Sequence, residues 1–64
     1  MSLTRYEFEI MSLLEREGCG PWRIRELGDM LCISGTTVVK SLAALKDKGL
    51  LEADGRELRL TEKD

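Results

Sequence analysis

The sequence predicts one small α+β domain, three helices closed by a β-hairpin. Three observations predict it. Thr4 and Glu7 stand at the spacing of a helix-capping box, ahead of an apolar stripe that stops at Gly18. Ser34 stands before a second stripe, Val38, Leu42 and Leu45, that stops at Gly49. After that glycine the apolar period changes from that of a helix to strict alternation around Asp54-Gly55.

The first helix is expected over Arg5 to Glu17, with Leu3, Tyr6, Ile10, Leu13 and Leu14 on its core stripe. Gly18 suits its C-terminal position, because the left-handed backbone conformation costs glycine nothing. Phe8 and Met11 lie off that stripe. Either they pack under a neighbouring loop or strand, or they form a patch for a partner or a second copy. Gly18-Cys19-Gly20-Pro21 breaks the helix, and Trp22-Arg23-Ile24 reads as a very short strand, with Trp22 as a lid on the core. A short second helix follows over Arg25 to Leu31, with Leu27, Met30 and Leu31 on one face. Gly28 in its middle costs about 1 kcal/mol relative to alanine, which a close crossing of another element would explain.

Cys32-Ile33 makes the turn into a third helix, capped by Ser34 and running from Gly35 to about Lys48. Leu50 to Ala53 reads as a strand, Asp54-Gly55 as a two-residue turn of type I′, and Arg56 to Leu60 as the return strand. Leu58 and Leu60 then face the core while Glu57 and Arg59 face water, and Thr61 to Asp64 form a frayed polar tail. Helix, short strand, helix, turn, helix, strand, turn, strand is the order of a winged helix-turn-helix. All of residues 1–64 fit in this single domain.

The run LGDMLCISGTTVVKSLAALKDKGLLEADGRELRLTEKD resembles the winged helix of multiple-antibiotic-resistance-repressor (MarR-type) regulators. The likeness covers about residues 4–64, and its most specific parts are LKDKGLLE and RLTEKD. It implies DNA binding, with the third helix as the reading helix. The hairpin is shorter than is usual in that family. The additional dimerisation helices and the ligand-binding domain of those regulators have no counterpart here, so the likeness implies no metabolite sensing.

Composition bounds the function. The 64 residues are 42% hydrophobic, enough for a core, and only Tyr6, Phe8 and Trp22 are aromatic, so that core is mostly aliphatic. The net charge is −2 at a pI of about 5.1, which counts against non-specific nucleic-acid binding as the main activity. The distribution is uneven: residues 34–51 carry Lys40, Lys46 and Lys48 against Asp47 alone. Lys46 and Lys48 also suit the negative end of the helix dipole, so neither argues strongly for DNA.

With no histidine and no CxxC pair, neither a zinc site nor any other cofactor is expected. The two cysteines are expected as reduced thiols in a cytoplasmic protein, Cys32 as a small buried apolar residue. The sequence has no nucleophile–base spacing and no glycine-rich phosphate loop, so no enzyme is expected, nor a small-molecule ligand. No apolar run is long enough to span a membrane.

The expected site is the face of the third helix turned away from its core stripe. Ser34, Gly35, Thr36, Thr37, Val39 and Lys40 lie there or at its start, with Ala43 beyond them. Threonine hydroxyls can donate to phosphate or base oxygens, valine methyls can meet a thymine methyl, and a lysine can reach a guanine edge or a phosphate. Arg56 at the hairpin turn and Arg25, with Arg23, at the second helix add candidate phosphate contacts, and Arg59 follows along the hairpin. Two functions fit. One is a transcriptional regulator on double-stranded DNA, a homodimer through Phe8 and Met11. The other is a winged helix used for protein–protein contact in a larger assembly, with the acidic first helix as its working surface.

Overall fold

The computed structural model describes residues 3–61. Its order is α1 (Arg5–Glu17), α2 (Ile24–Leu31), α3 (Gly35–Asp47), β1 (Leu51–Asp54) and β2 (Glu57–Leu60). Residues 62–64, the end of the expected polar tail and of the RLTEKD motif, lie outside the described residues.

α1 starts as its capping box dictates. Thr4 Oγ1 accepts from the Glu7 amide at 3.2 Å, and the Thr4 amide donates to Glu7 Oε1 at 2.8 Å. It ends at Gly18, whose φ of 99° is open to glycine and whose amide donates to Leu14 O at 2.9 Å. Ile10, Leu13 and Leu14 of the expected stripe are buried, and Leu3 packs at its edge. Tyr6 is not in the core but 42% exposed, and the buried residue of that first turn is Glu7, at 2%. Met11 packs against the core, whereas Phe8 is 62% exposed.

α2 begins one residue earlier than the sequence suggests, at Ile24, with the Arg23 amide donating to Glu26 Oε1 at 3.0 Å. Leu27 is fully buried and Leu31 packs beside the core, but Met30 is 52% exposed, 100° round the helix from Leu31. Gly28 is where the chain folds back on itself. A Cβ there would lie 2.7 Å from Ile33 O and 3.8 Å from Val38 Cγ2. The crossing that its sequence position suggests is therefore the helix-turn-helix turn itself. Cys32 is exposed, not buried: it occupies the left-handed cap position of α2, with φ 58° and ψ 42°, which turns its side chain away from the core.

α3 is capped by Ser34 and packs against both other helices and β1. Val38, Leu42 and Leu45 are buried as expected, with Ser41 between them. Gly49, at φ 74°, reverses the chain, and the Leu50 amide donates back to Leu45 O at 3.0 Å.

The hairpin differs by one residue from expectation. Its register pairs Leu51 with Leu60, Ala53 with Leu58 and Asp54 with Glu57, so the turn is Gly55-Arg56. Gly55 has φ 64° and Arg56 no positive φ, the pattern of a Gly-X type II′ turn. An Asp54-Gly55 turn would have set Leu60 opposite Gly49. That register would keep one apolar pair, Leu51 with Leu58, whereas the observed one makes two, Leu51 with Leu60 and Ala53 with Leu58, and cross-strand apolar pairs are what stabilise a two-stranded sheet. Thr61 is not frayed: its amide donates to Leu50 O at 3.0 Å and its hydroxyl donates to Gly49 O.

The expected strand at Trp22 does not form, because Ile24 already belongs to α2. Its backbone partners do exist. The Trp22 amide donates to Arg56 O at 2.8 Å and the Leu58 amide to Cys19 O at 2.9 Å, so the α1–α2 loop lies along the free edge of β2. Trp22 packs on the core, with Nε1 donating to Gly18 O at 3.0 Å. Gly20 is required there: at φ 102°, a Cβ would sit 2.6 Å from the Trp22 amide nitrogen.

Candidate nucleic-acid interface

α3 presents two kinds of residue at its start. Ser34 Oγ accepts from the Thr37 amide at 3.2 Å and lies 2.9 Å from Thr37 Oγ1, so these two hydroxyls are committed first to capping the helix. Gly35, Thr36, Val39 and Lys40 are exposed, Val39 by 52%. The cap leaves the first amides of α3 pointing outward, an arrangement suited to phosphate oxygens.

One side of α3 faces the hairpin across a groove of about 260 Å³, lined by Ile24, Val39, Ala43, Lys46, Ala53 and Gly55 among others. A second cleft, of about 500 Å³, opens beside it and is lined by Pro21, Arg23, Arg25, Glu26, Asp29 and Arg56. Ile24 belongs to the groove and its neighbours Arg23 and Arg25 to the cleft; Gly55 belongs to the groove and Arg56 to the cleft. The two openings therefore adjoin. The structure thus brings Arg23 and Arg25 into one place with Arg56, a candidate from a separate part of the sequence. What joins them is the Trp22–Arg56 backbone bond, a contact between distant segments that no local pattern encodes.

The cations differ in how they are engaged. Among the described residues, Lys40, Arg23, Arg25 and Arg56 have no carboxylate within 4.0 Å, whereas Arg59 lies 3.3 Å from Glu57 and Arg5 3.8 Å from Glu9. Lys48 is engaged differently again. Its Nζ lies 2.7 and 3.0 Å from the two carboxylate oxygens of Glu7, so it belongs to the core-side packing of α1 on α3 rather than to the outer face. The Lys48 ammonium, followed by the Thr4 amide, holds the Glu7 carboxyl below its ordinary pKa. Phe8 and Met11, the interface candidates, part company: Phe8 stands out from α1 while Met11 is partly covered.

A family model described as a winged helix DNA-binding domain matches residues 3–63. The chain belongs to the winged helix DNA-binding domain family. The three helices and two-stranded hairpin are the elements of that winged helix, with β1 and β2 as its wing. The match is compatible with the MarR-type resemblance without singling it out. No curated protein and no solved structure gives a significant match. Among the described residues of this winged helix there is no cluster of potential metal ligands, and no helix is long and apolar enough to cross a membrane.

Proposed function

We propose that the chain is a DNA-binding transcriptional regulator that lays α3 in the major groove. Gly35, Thr36 and Val39 meet base edges and Lys40 a backbone phosphate beside them, with Ser34 and Thr37 fixing the start of the helix. Arg25 and Arg56, with Arg23 beside them, hold the flanking backbone. The observation that carries this reading is the placement of the unpaired cations. In a chain of net charge −2, Lys40, Arg23, Arg25 and Arg56 have no carboxylate partner among the described residues around α3 and the wing. Small side chains next to one cation also suit a groove floor, since they admit close approach to base edges.

The test is a salt titration of binding to duplex DNA, followed by fluorescence anisotropy. Lys40→Ala and Arg56→Ala are each expected to reduce the slope of log K against log salt by about 0.9, the value for one phosphate contact on B-DNA. No binding at low salt, or binding indifferent to both changes, would rule the reading out.

Few cations are available to one subunit, so binding to a two-fold site as a homodimer accompanies this reading. Phe8 is the contact that fits, flanked by the edge of Met11, because a phenylalanine 62% exposed on a helix gains by being covered. Phe8→Ala is expected to shift sedimentation equilibrium from dimer toward monomer; an unchanged mass would exclude α1 as the interface. The same exposed Phe8, with the acidic surface of α1, is the observation that favours the second reading, a protein–protein module that makes no DNA contact.

A further inference from the structure

Besides the wing-side cleft, α3 borders a second opening on its other flank. It has a volume of about 450 Å³ and is lined by Thr4, Arg5, Tyr6 and Glu7 of the α1 start and by Thr37, Lys40, Ser41 and Ala44 of α3. The polar groups in it have phosphate-binding chemistry. Arg5 and Lys40 supply positive charge, and the Tyr6 hydroxyl is a donor on a ring exposed where the apolar stripe would have buried it. Among the described residues, the one carboxylate lining the opening is Glu7. Lys48 neutralises it through two contacts, and the Thr4 amide takes a third, so its charge does not oppose an anion there. Among the described residues Arg5 is held by a 3.8 Å contact to Glu9 at an exposed site, an interaction worth little and readily exchanged. In the wing-side cleft, by contrast, three arginines share their space with both Glu26 and Asp29.

From this we infer that the start of α1 belongs to the DNA-binding surface: Arg5 and the Tyr6 hydroxyl, together with Lys40, hold a backbone phosphate on the flank of α3 away from the wing. The inference rests on the major-groove reading above and extends it. A helix lying in a groove about 12 Å wide has a sugar–phosphate wall on each side. The wing and the start of α2 serve one wall, and the start of α1 serves the other. α1 then has two working faces, one toward DNA at Tyr6 and one toward a second subunit at Phe8.

The test repeats the salt titration with three further variants. Arg5→Ala is expected to lower the salt slope by about 0.9, as for one lost phosphate contact. Arg16→Ala removes the same charge from the far end of α1 and is expected to leave the slope unchanged. Tyr6→Phe removes only a hydroxyl from an exposed ring, so the fold is kept; affinity is expected to fall about 3- to 10-fold with the slope unaltered. Helix content by circular dichroism checks that each variant is folded. If Arg5→Ala behaves like Arg16→Ala and Tyr6→Phe like the wild type, while Lys40→Ala and Arg56→Ala still weaken binding, the α1 contact is overturned and the major-groove reading stands. If the wild type does not bind duplex DNA at low salt, both fall.

Discussion

Leu45→Ala is expected to leave the domain close to unfolded at physiological temperature. Leu45 is fully buried in the last turn of α3, the helix that packs against α1, α2 and β1. Truncating a buried leucine to alanine costs about 2–5 kcal/mol, the spread reflecting how far the cavity collapses. A 64-residue chain at the usual stability per residue has roughly 3–10 kcal/mol in total. A loss of that size should lower the melting temperature by about 10 °C or more in a domain this small. Thermal melts by circular dichroism measure it directly. A fall of less than about 4 °C would mean that the α3 stripe is not the centre of the core.

The second large effect is expected at Glu7, and it carries a pH signature. The carboxylate is 2% exposed and is held by Lys48 Nζ at 2.7 Å and by the Thr4 amide at 2.8 Å. Among the described residues no buried side-chain polar atom lacks a hydrogen-bond partner, so the pair is fully satisfied as it stands. Glu7→Gln keeps the shape and the cap but removes a full negative charge 2.7 Å from the Lys48 ammonium. Removing one partner of a covered pair is far more damaging than replacing both. A melting temperature several degrees below wild type is expected at pH 7.

The pH dependence follows from the direction of the Glu7 shift. Its pKa is lowered in the folded chain, so the unfolded chain binds the proton more readily. The stabilisation is complete above the ordinary carboxylate range, about pH 4.3 for a free glutamate. It is lost as the pH falls through that range to the lowered native value. The gap between wild type and Glu7→Gln should therefore be widest at neutral pH and close in acid. A gap that stayed constant from pH 7 to pH 3 would show that charge is not what the pair contributes.

The contrast between these two residues shows what the sequence could disclose. Leu45 was legible because its neighbours repeat at helical spacing and Ser34 and Gly49 bracket them. Gly28 was legible for a related reason: a glycine in a helix interior needs a close neighbour, and Ile33 O supplies it. Glu7 carried a signal too, since it lies three residues before Ile10 and seven before Leu14 and so shares their stripe. Its role as a cap and its charge made an outward reading natural. Nothing local could name Lys48, 41 residues away, as its partner.

Other departures have the same origin in long-range or conformational choices. Asp54-Gly55 is a good turn taken alone, but pairing both Leu51 with Leu60 and Ala53 with Leu58 moved the turn by one residue and left Arg56 inside it. Cys32 looked buried from its apolar neighbours, and only the left-handed backbone that ends α2 turns it outward. For the interface, the residue types on α3 could be read from the sequence. The grouping of Arg23, Arg25 and Arg56 could not, because it depends on where the α1–α2 loop meets the wing.

That meeting also limits how the chain can change. Surface loops ordinarily tolerate added residues, because lengthening a closed loop costs little entropy. The segment from Gly18 to Arg23 does not have that freedom. Its amides and carbonyls bond both ends of the stretch from Arg56 to Leu58 and give the wing the third backbone that a lone hairpin needs for stability. An insertion there would slip the wing's support out of step and draw Arg56 away from Arg23 and Arg25. The loop's length is thus part of the ruler that spaces the wing from α3, and homologues that lengthen it would have to re-space their DNA contacts as well.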